Sequence, residues 1–269
     1  MTQVCLTLWL LVAGGVGAPT ADPPALPPAD PIVTVWYRGT PAGTPVQQEL
    51  AVIRALGFSG ITWPASQTKA LEGLKTMAAS AGLQVLLAPA PKPATPESVL
   101  AVGERVDLVV TPQNVASLTP LAWRAIAHGA RVIGFDSGSA TGAGLENQDR
   151  SLRRWVTAAR GVARQFSANG KLIQALRPGP GLIMTPESVP GLDVVMLDAG
   201  RSWVLIATNI STVAATASVR LPAGAPYAIW ADLLDNSSLA MAGEAAGPRW
   251  NLKMDANATR VYIIDKTMK

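Results

Sequence analysis

The 269-residue sequence holds one cysteine and one histidine. A single thiol excludes a disulfide framework within the chain and a thiolate zinc site, and a single imidazole excludes a multi-histidine metal centre. Charge is scarce as well, at 15% of residues against about 25% in an ordinary globular chain. Beyond residue 18 no apolar run approaches the ~20 residues that a membrane helix needs, so no later span is expected. With 24 glycines and 22 prolines the chain stays below low-complexity composition. What is present is apolar side chain, 49% of residues, enough for the cores of one or two domains.

The first 31 residues read as something other than fold. Met1–Ala18 carries no charged side chain, is apolar from Val4 to about Val16, and ends in the small residues Val16-Gly17-Ala18. It is expected to be a secretory signal peptide, with an uncleaved N-terminal anchor as the alternative. A secreted, periplasmic or cell-envelope location follows from that reading. Residues 19–31 (PTADPPALPPADP) contain six prolines in thirteen positions and read as an extended tether.

From Ile32 the sequence alternates strand and helix patterns. Strand-like segments occur at Ile32–Tyr37, Phe58–Trp63, Leu83–Ala88, Val106–Thr111 and Arg131–Phe135. Between them lie helix patterns at Gln47–Leu56, at 71–81, at Glu97–Glu104 and at Leu121–His128, and a longer one follows at Asp149–Leu176. The period of about 25 residues argues for a parallel sheet with crossover helices. A closed eight-fold barrel takes roughly 250 residues, and far fewer are available here. The segment 32–186 is therefore expected to be an incomplete, shortened TIM-barrel-like β/α domain or an open doubly wound sheet. After Pro178 the pattern changes to six short alternating strands between Leu192 and Ile264, which read as a small antiparallel β-sandwich over 187–269.

In either α/β architecture ligands sit at the carboxyl ends of the strands. The side chains expected there are Trp36, Tyr37 and Arg38, then Trp63, Lys92, Gln113 and Asn114, then Asp136 and Ser137. Aromatic faces with a cation, an amide and a carboxylate suit a sugar, so Trp36, Tyr37, Arg38, Trp63 and Asn114 are the candidate carbohydrate-binding residues. The two tryptophans read equally well as core. Glycoside hydrolysis needs two convergent carboxyl groups. Only Asp136 follows a strand end directly, and Glu146, further along a glycine-rich loop, is the one available partner. Glu97, Glu104 and Asp107 read as lying on the opposite, stability-bearing side.

Other chemistries are weakly signalled. The loop from Gly138 to Gly144 lacks G-x-G-x-x-G spacing and a Walker lysine, and no G-x-S-x-G elbow occurs. No cofactor or metal site is therefore expected. His128 reads as a helix-end partner. Arg150, Arg153, Arg154, Arg160, Arg164, Lys171 and Arg177 stand against Asp149 alone in 148–178. They read as a solvated helix face rather than a nucleic-acid surface, because no aromatics are interleaved. Glycosylation sequons begin at Asn209, Asn236 and Asn257.

The segment Thr119-Pro-Leu-Ala-Trp-Arg-Ala-Ile-Ala-His-Gly-Ala-Arg-Val-Ile-Gly-Phe-Asp136 resembles the late-barrel segment of clan A glycoside hydrolases, especially family forty-two β-galactosidases. Leu50-Ala-Val-Ile-Arg-Ala-Leu-Gly-Phe-Ser-Gly-Ile-Thr-Trp63 is similar to their early helix-to-strand unit. The segments Trp203–Asn209 and Pro226–Asp235 are similar to the β-sandwiches that follow such barrels. The resemblance implies a sugar-related context. It also implies an Asn-Glu pair at the fourth strand and a Glu nucleophile at the seventh. The fourth strand here ends Val110-Thr-Pro-Gln-Asn114, with no glutamate, and no later strand supplies one before residue 149.

The sequence thus points to an exported glycoside-hydrolase-like protein that binds carbohydrate or has lost its activity. The alternatives are an active glycosidase using Asp136 and Glu146 on a β-galactoside-type bond, and a non-catalytic envelope scaffold.

Overall fold

Five apolar segments form one parallel sheet: β1 (Ile32–Trp36), β2 (Gly60–Pro64), β3 (Gln84–Ala88), β4 (Arg105–Val109) and β5 (Val132–Asp136). The helices between them are α1 (Val46–Ala55), α2 (Leu71–Ser80) and α3 (Leu118–Ala127). α1 and α3 are followed at once by Gly57 and Gly129, whose positive φ of 96° and 99° reverses the chain into the next strand. The structure is a computed structural model, and it describes residues 32–38, 45–67, 71–89, 105–138, 143–145, 150–221, 229–235, 238–240 and 249–266. Residues 1–31, read as signal peptide and tether, the helix read at Glu97–Glu104, Lys92 and Glu146 lie outside the described residues.

The strand order is β3-β2-β1-β5-β4. Every strand neighbours its sequence successor except β3 and β4, which stand at the two edges. This is the cyclic order of a barrel opened between β3 and β4. One hydrogen bond shows that the sheet is also curled. Arg105 Nη2 on β4 donates to Thr62 Oγ1 on β2 at 2.7 Å, although three strand spacings of ~4.8 Å would separate these strands by about 14 Å in a flat sheet. Of the two architectures left open by the sequence, the shortened barrel-like sheet is the one observed.

The convex face carries Val33, Val35, Ile61, Val106, Leu108, Ile133 and Phe135 into the main core. There they meet α1, α2, α3 and α4 (Arg150–Ala168), whose Trp155, Ala159, Val162, Ala163 and Phe166 are buried. The single long helix expected from sequence is divided at Asn169 into α4 and a short α5 (Gly170–Ala175).

Antiparallel pairing begins at β6 (Arg177–Pro178) and β7 (Ile183–Thr185), ahead of Pro186. The remaining strands are β8 (Leu192–Asp198), β9 (Ser202–Asn209), β10 (Ala215–Arg220), β11 (Ile229–Asp232), β12 (Ser238–Ala240), β13 (Arg249–Met254) and β14 (Thr259–Asp265). They form a six-stranded sheet in the order β12-β11-β14-β9-β8-β6 and a three-stranded sheet in the order β13-β10-β7. Leu205, Ala207, Val219, Leu252 and Trp250 fill the space between the two sheets.

The other face of the six-stranded sheet is not left to water. Leu197, Val204, Ile206 and Val261 belong to the same core as the parallel sheet. The cover there comes from α3. All α3 residues but Thr119 are buried, as expected of a helix wedged between two sheets. Its buried Arg124 lies 3.4 Å from Asp193 on β8, and His128 Nε2 pairs with the same carboxylate at 2.7 Å. His128 thus sits at the helix C-terminus and ties α3 to the six-stranded sheet.

Asn209, first residue of a sequon, is fully buried. Its Nδ2 donates to Val213 O and Asp255 O at 2.8 and 2.9 Å, and its Oδ1 accepts from Ser211 N. Asn209→Ala should therefore cost roughly 2–4 kcal/mol, because three hydrogen bonds of a buried side chain are lost together. Urea denaturation checks this, and a loss under 1 kcal/mol would contradict it.

Candidate functional site

Alternation along each strand sends one set of side chains into the core and the other onto the concave face. On that face lie Thr34, Trp36 and Arg38 from the first strand segment, Thr62 from β2, Arg105 and Asp107 from β4, and Gly134 and Asp136 from β5. These polar groups are joined into a network. Thr34 and Thr62 share a hydroxyl hydrogen bond of 2.8 Å. Arg105 donates to both oxygens of Asp107, at 2.6 and 2.9 Å, and reaches Thr62. Trp36 Nε1 donates to Asp107 Oδ1 at 2.9 Å.

At the carboxyl ends of the strands, Arg38 grips Asp136 with two bonds of 2.7 Å, one to each carboxylate oxygen. Gly138 N adds a third, to Oδ1, at 2.9 Å. The hydrogen bond to Asp136 raises the Arg38 pKa further above its ordinary value against the opposing effect of burial. The guanidiniums of Arg38 and Arg105 both lie against the Trp36 ring, 5.1 and 5.7 Å from its centroid. Two carboxylates therefore occupy the concave face, each clamped by its own arginine, with an indole between them.

The candidate residues fall into place as follows. Asp136 and Arg38 are at the strand ends and touch each other. Trp36, Tyr37 and Trp63 are 1%, 1% and 4% exposed, so their rings present little open face. Tyr37 and Trp63 point to the convex side and stack on one another, 6.3 Å between centroids. Burial, and then the charge of nearby Glu49, pushes the Tyr37 hydroxyl up and keeps it protonated. Asn114 is half-buried at the end of the fourth strand segment. Its Oδ1 accepts from Thr111 N and its Nδ2 donates to Val109 O, so the amide is engaged in its own turn.

Two features escaped the sequence reading. Asp107 is not on the opposite end of the strands but midway along β4, on the concave face. Glu49, in the first turn of α1, is buried and accepts from Ala143 N at 2.8 Å, while Ser137 Oγ donates to Ala143 O at 3.0 Å. The loop after β5 is thereby fastened to α1. A cavity of about 430 Å³ lies elsewhere, at the opposite strand ends, between the C-terminus of α3 and β8, and is lined by His128, Arg131, Leu176, Pro178 and Met196 among others. Among the described residues no group of three or more His, Cys, Asp or Glu side chains could hold a metal ion. No helix there is long and apolar enough to cross a membrane.

A methyl group at Gly134 would collide with Asp107 Oδ1 and crowd Arg105 Nη2. Gly134→Ala should therefore lose roughly 1–3 kcal/mol of stability by overpacking and disturb Trp36 fluorescence. An unchanged spectrum and melting curve would contradict the network described.

No family model matches this chain, and no curated protein matches it. Solved structures do. The likeness is one of fold. A GH30 endoxylanase from Clostridium papyrosolvens C71 aligns at 8% identity and a TM-score of 0.40, over 87% of this chain and 95% of that one. An α-amylase from Geobacillus thermoleovorans, complexed with acarbose, aligns at 10% identity and a TM-score of 0.44, over 82% and 63%. An Anoxybacillus α-amylase aligns at 10% identity and a TM-score of 0.43, over 87% and 59%. These glycoside hydrolases do not single out family forty-two.

Proposed function

We propose that this chain is a glycoside-hydrolase-like protein that does not hydrolyse glycosides and whose strand ends retain a carbohydrate-binding role. The observation that carries the first half is the clamp of Arg38 on both oxygens of Asp136. Retaining hydrolysis needs one carboxylate free to attack and another able to deliver a proton, ~5–5.5 Å away; inversion needs room for water between them. An Asp136 already holding three hydrogen bonds is poorly placed to deliver the proton, and Asp107 is held in the same way.

The second half rests on the resemblance of Thr119–Asp136 and of Leu50–Trp63 to family forty-two β-galactosidases, and on the partly exposed Arg38 at the strand ends. A guanidinium there offers charge-assisted hydrogen bonds to sugar hydroxyls. The buried Trp36 ring and the two arginine–carboxylate pairs around it favour a second reading, a non-catalytic envelope scaffold whose concave face is a closed polar core. Calorimetric titration with a panel of galacto-, xylo- and malto-oligosaccharides separates the two. Binding that falls at least tenfold in Arg38→Ala supports carbohydrate recognition. No binding by the folded protein to any member of the panel selects the scaffold.

A further inference from the structure

Helix α4 bears charge of one sign only. Its arginines are Arg150, Arg153, Arg154, Arg160 and Arg164, and residues 150–186 contain no aspartate or glutamate. At ~100° per residue the five fall within an arc of about 120°. The buried stripe of Trp155, Ala159, Val162, Ala163 and Phe166 occupies about 100° diametrically opposite. Arg154 and Arg164 are exposed. Among the described residues no ion pair involves Arg154, Arg160 or Arg164. The result is a straight ridge ~21 Å long of self-repelling cations, in a chain otherwise poor in charge.

We infer that this arginine face is an electrostatic docking surface for an anionic phospholipid bilayer. A helix face sets these five positions along one line, with Arg154 and Arg164 exposed on it, which fits a flat, continuous negative surface. Each basic residue near such a surface adds to the attraction independently of fine geometry. The positions between the arginines on this arc include Thr157, Gly161 and Ala168. They supply no aromatic face on which single-stranded bases stack and none of the large anchors that dominate a protein interface. The apolar run from Val4 to Val16, in its alternative reading as an uncleaved anchor, would be the second of the two signals that stable membrane attachment needs.

The test is flotation of the full chain with vesicles of phosphatidylcholine alone and of phosphatidylcholine with phosphatidylglycerol at roughly 7:3, in about 0.1 M and about 0.5 M salt. Phosphatidylcholine reports whatever the apolar segment contributes, and the difference between the two compositions reports the ridge. Binding should be at least tenfold stronger with phosphatidylglycerol, lost at the higher salt, and weakened on the order of 100-fold by Arg154→Glu with Arg164→Glu. The paired lysine substitutions should retain it. Equal binding to both compositions, or salt-independent binding, would overturn the inference whatever the variants do. Tighter binding to a DNA duplex than to the anionic vesicles would also overturn it, reassigning the face to nucleic acid.

Discussion

Arg105→Ala should be among the most damaging single changes in the chain, with a loss of roughly 3 kcal/mol in urea denaturation. Arg105 holds both oxygens of Asp107, reaches Thr62 across the curl of the sheet and lies against Trp36. Its removal leaves the Asp107 carboxylate on the concave face with, among the described residues, only the indole N–H as side-chain donor. The side chains of Arg105 and Asp107 are 23% and 15% exposed, so the effect belongs at the lower end for a broken buried pair. Arg105→Met with Asp107→Leu should recover part of the loss, because an apolar pair of similar volume carries no desolvation cost. A loss below 1 kcal/mol for Arg105→Ala would mean that the curled face is held by something else.

The second large effect concerns the antiparallel module. A fragment from Gly191 to Lys269 should not fold. It lacks β7, one of three strands in the smaller sheet, and β6 at the edge of the larger. More costly, it bares Leu197, Val204, Ile206 and Val261, which in the whole chain pack into the core shared with α3. A segment of this size buries too small a share of its surface to tolerate an exposed apolar face. Circular dichroism and thermal unfolding of the fragment should show no cooperative transition. A transition as sharp as that of the full chain would contradict the shared core.

The periodic parts of this fold were legible in the sequence. β13 and β1 stand out by alternation or β-branched content, and the helices before β2, β3 and β5 by their apolar spacing and the glycine that stops each one. The short strands β6, β7 and β12 were missed, since two or three residues cannot establish a period. Strand order was not legible at all. It depends on contacts such as Arg105 to Thr62, whose partners lie far apart in sequence.

The site was legible by position more than by role. Asp136 and Arg38 were found because strand ends are where side chains of an α/β sheet converge. Their mutual engagement was not foreseeable from two residues almost a hundred positions apart. Trp36 and Trp63 fall on opposite faces of the sheet, and both are covered, one by arginines and the other by Tyr37 and the surrounding core. Asp107 had a signal that was not used. In Arg105-Val-Asp107-Leu108 the charges alternate with apolar residues, which places both charges on the face away from the helices.

Turnover tests the central claim most directly. The purified full chain would be assayed on a panel of aryl β-galactosides, β-xylosides and α-glucosides, beside Asp136→Asn and Glu146→Gln. A carboxylate clamped on both oxygens by Arg38 is poorly placed to deliver a proton, and general acid–base help alone is worth roughly 10²–10⁴ in rate. The account predicts no hydrolysis above background for any of the three proteins. Clear turnover by the unaltered chain, abolished by either substitution, would contradict it.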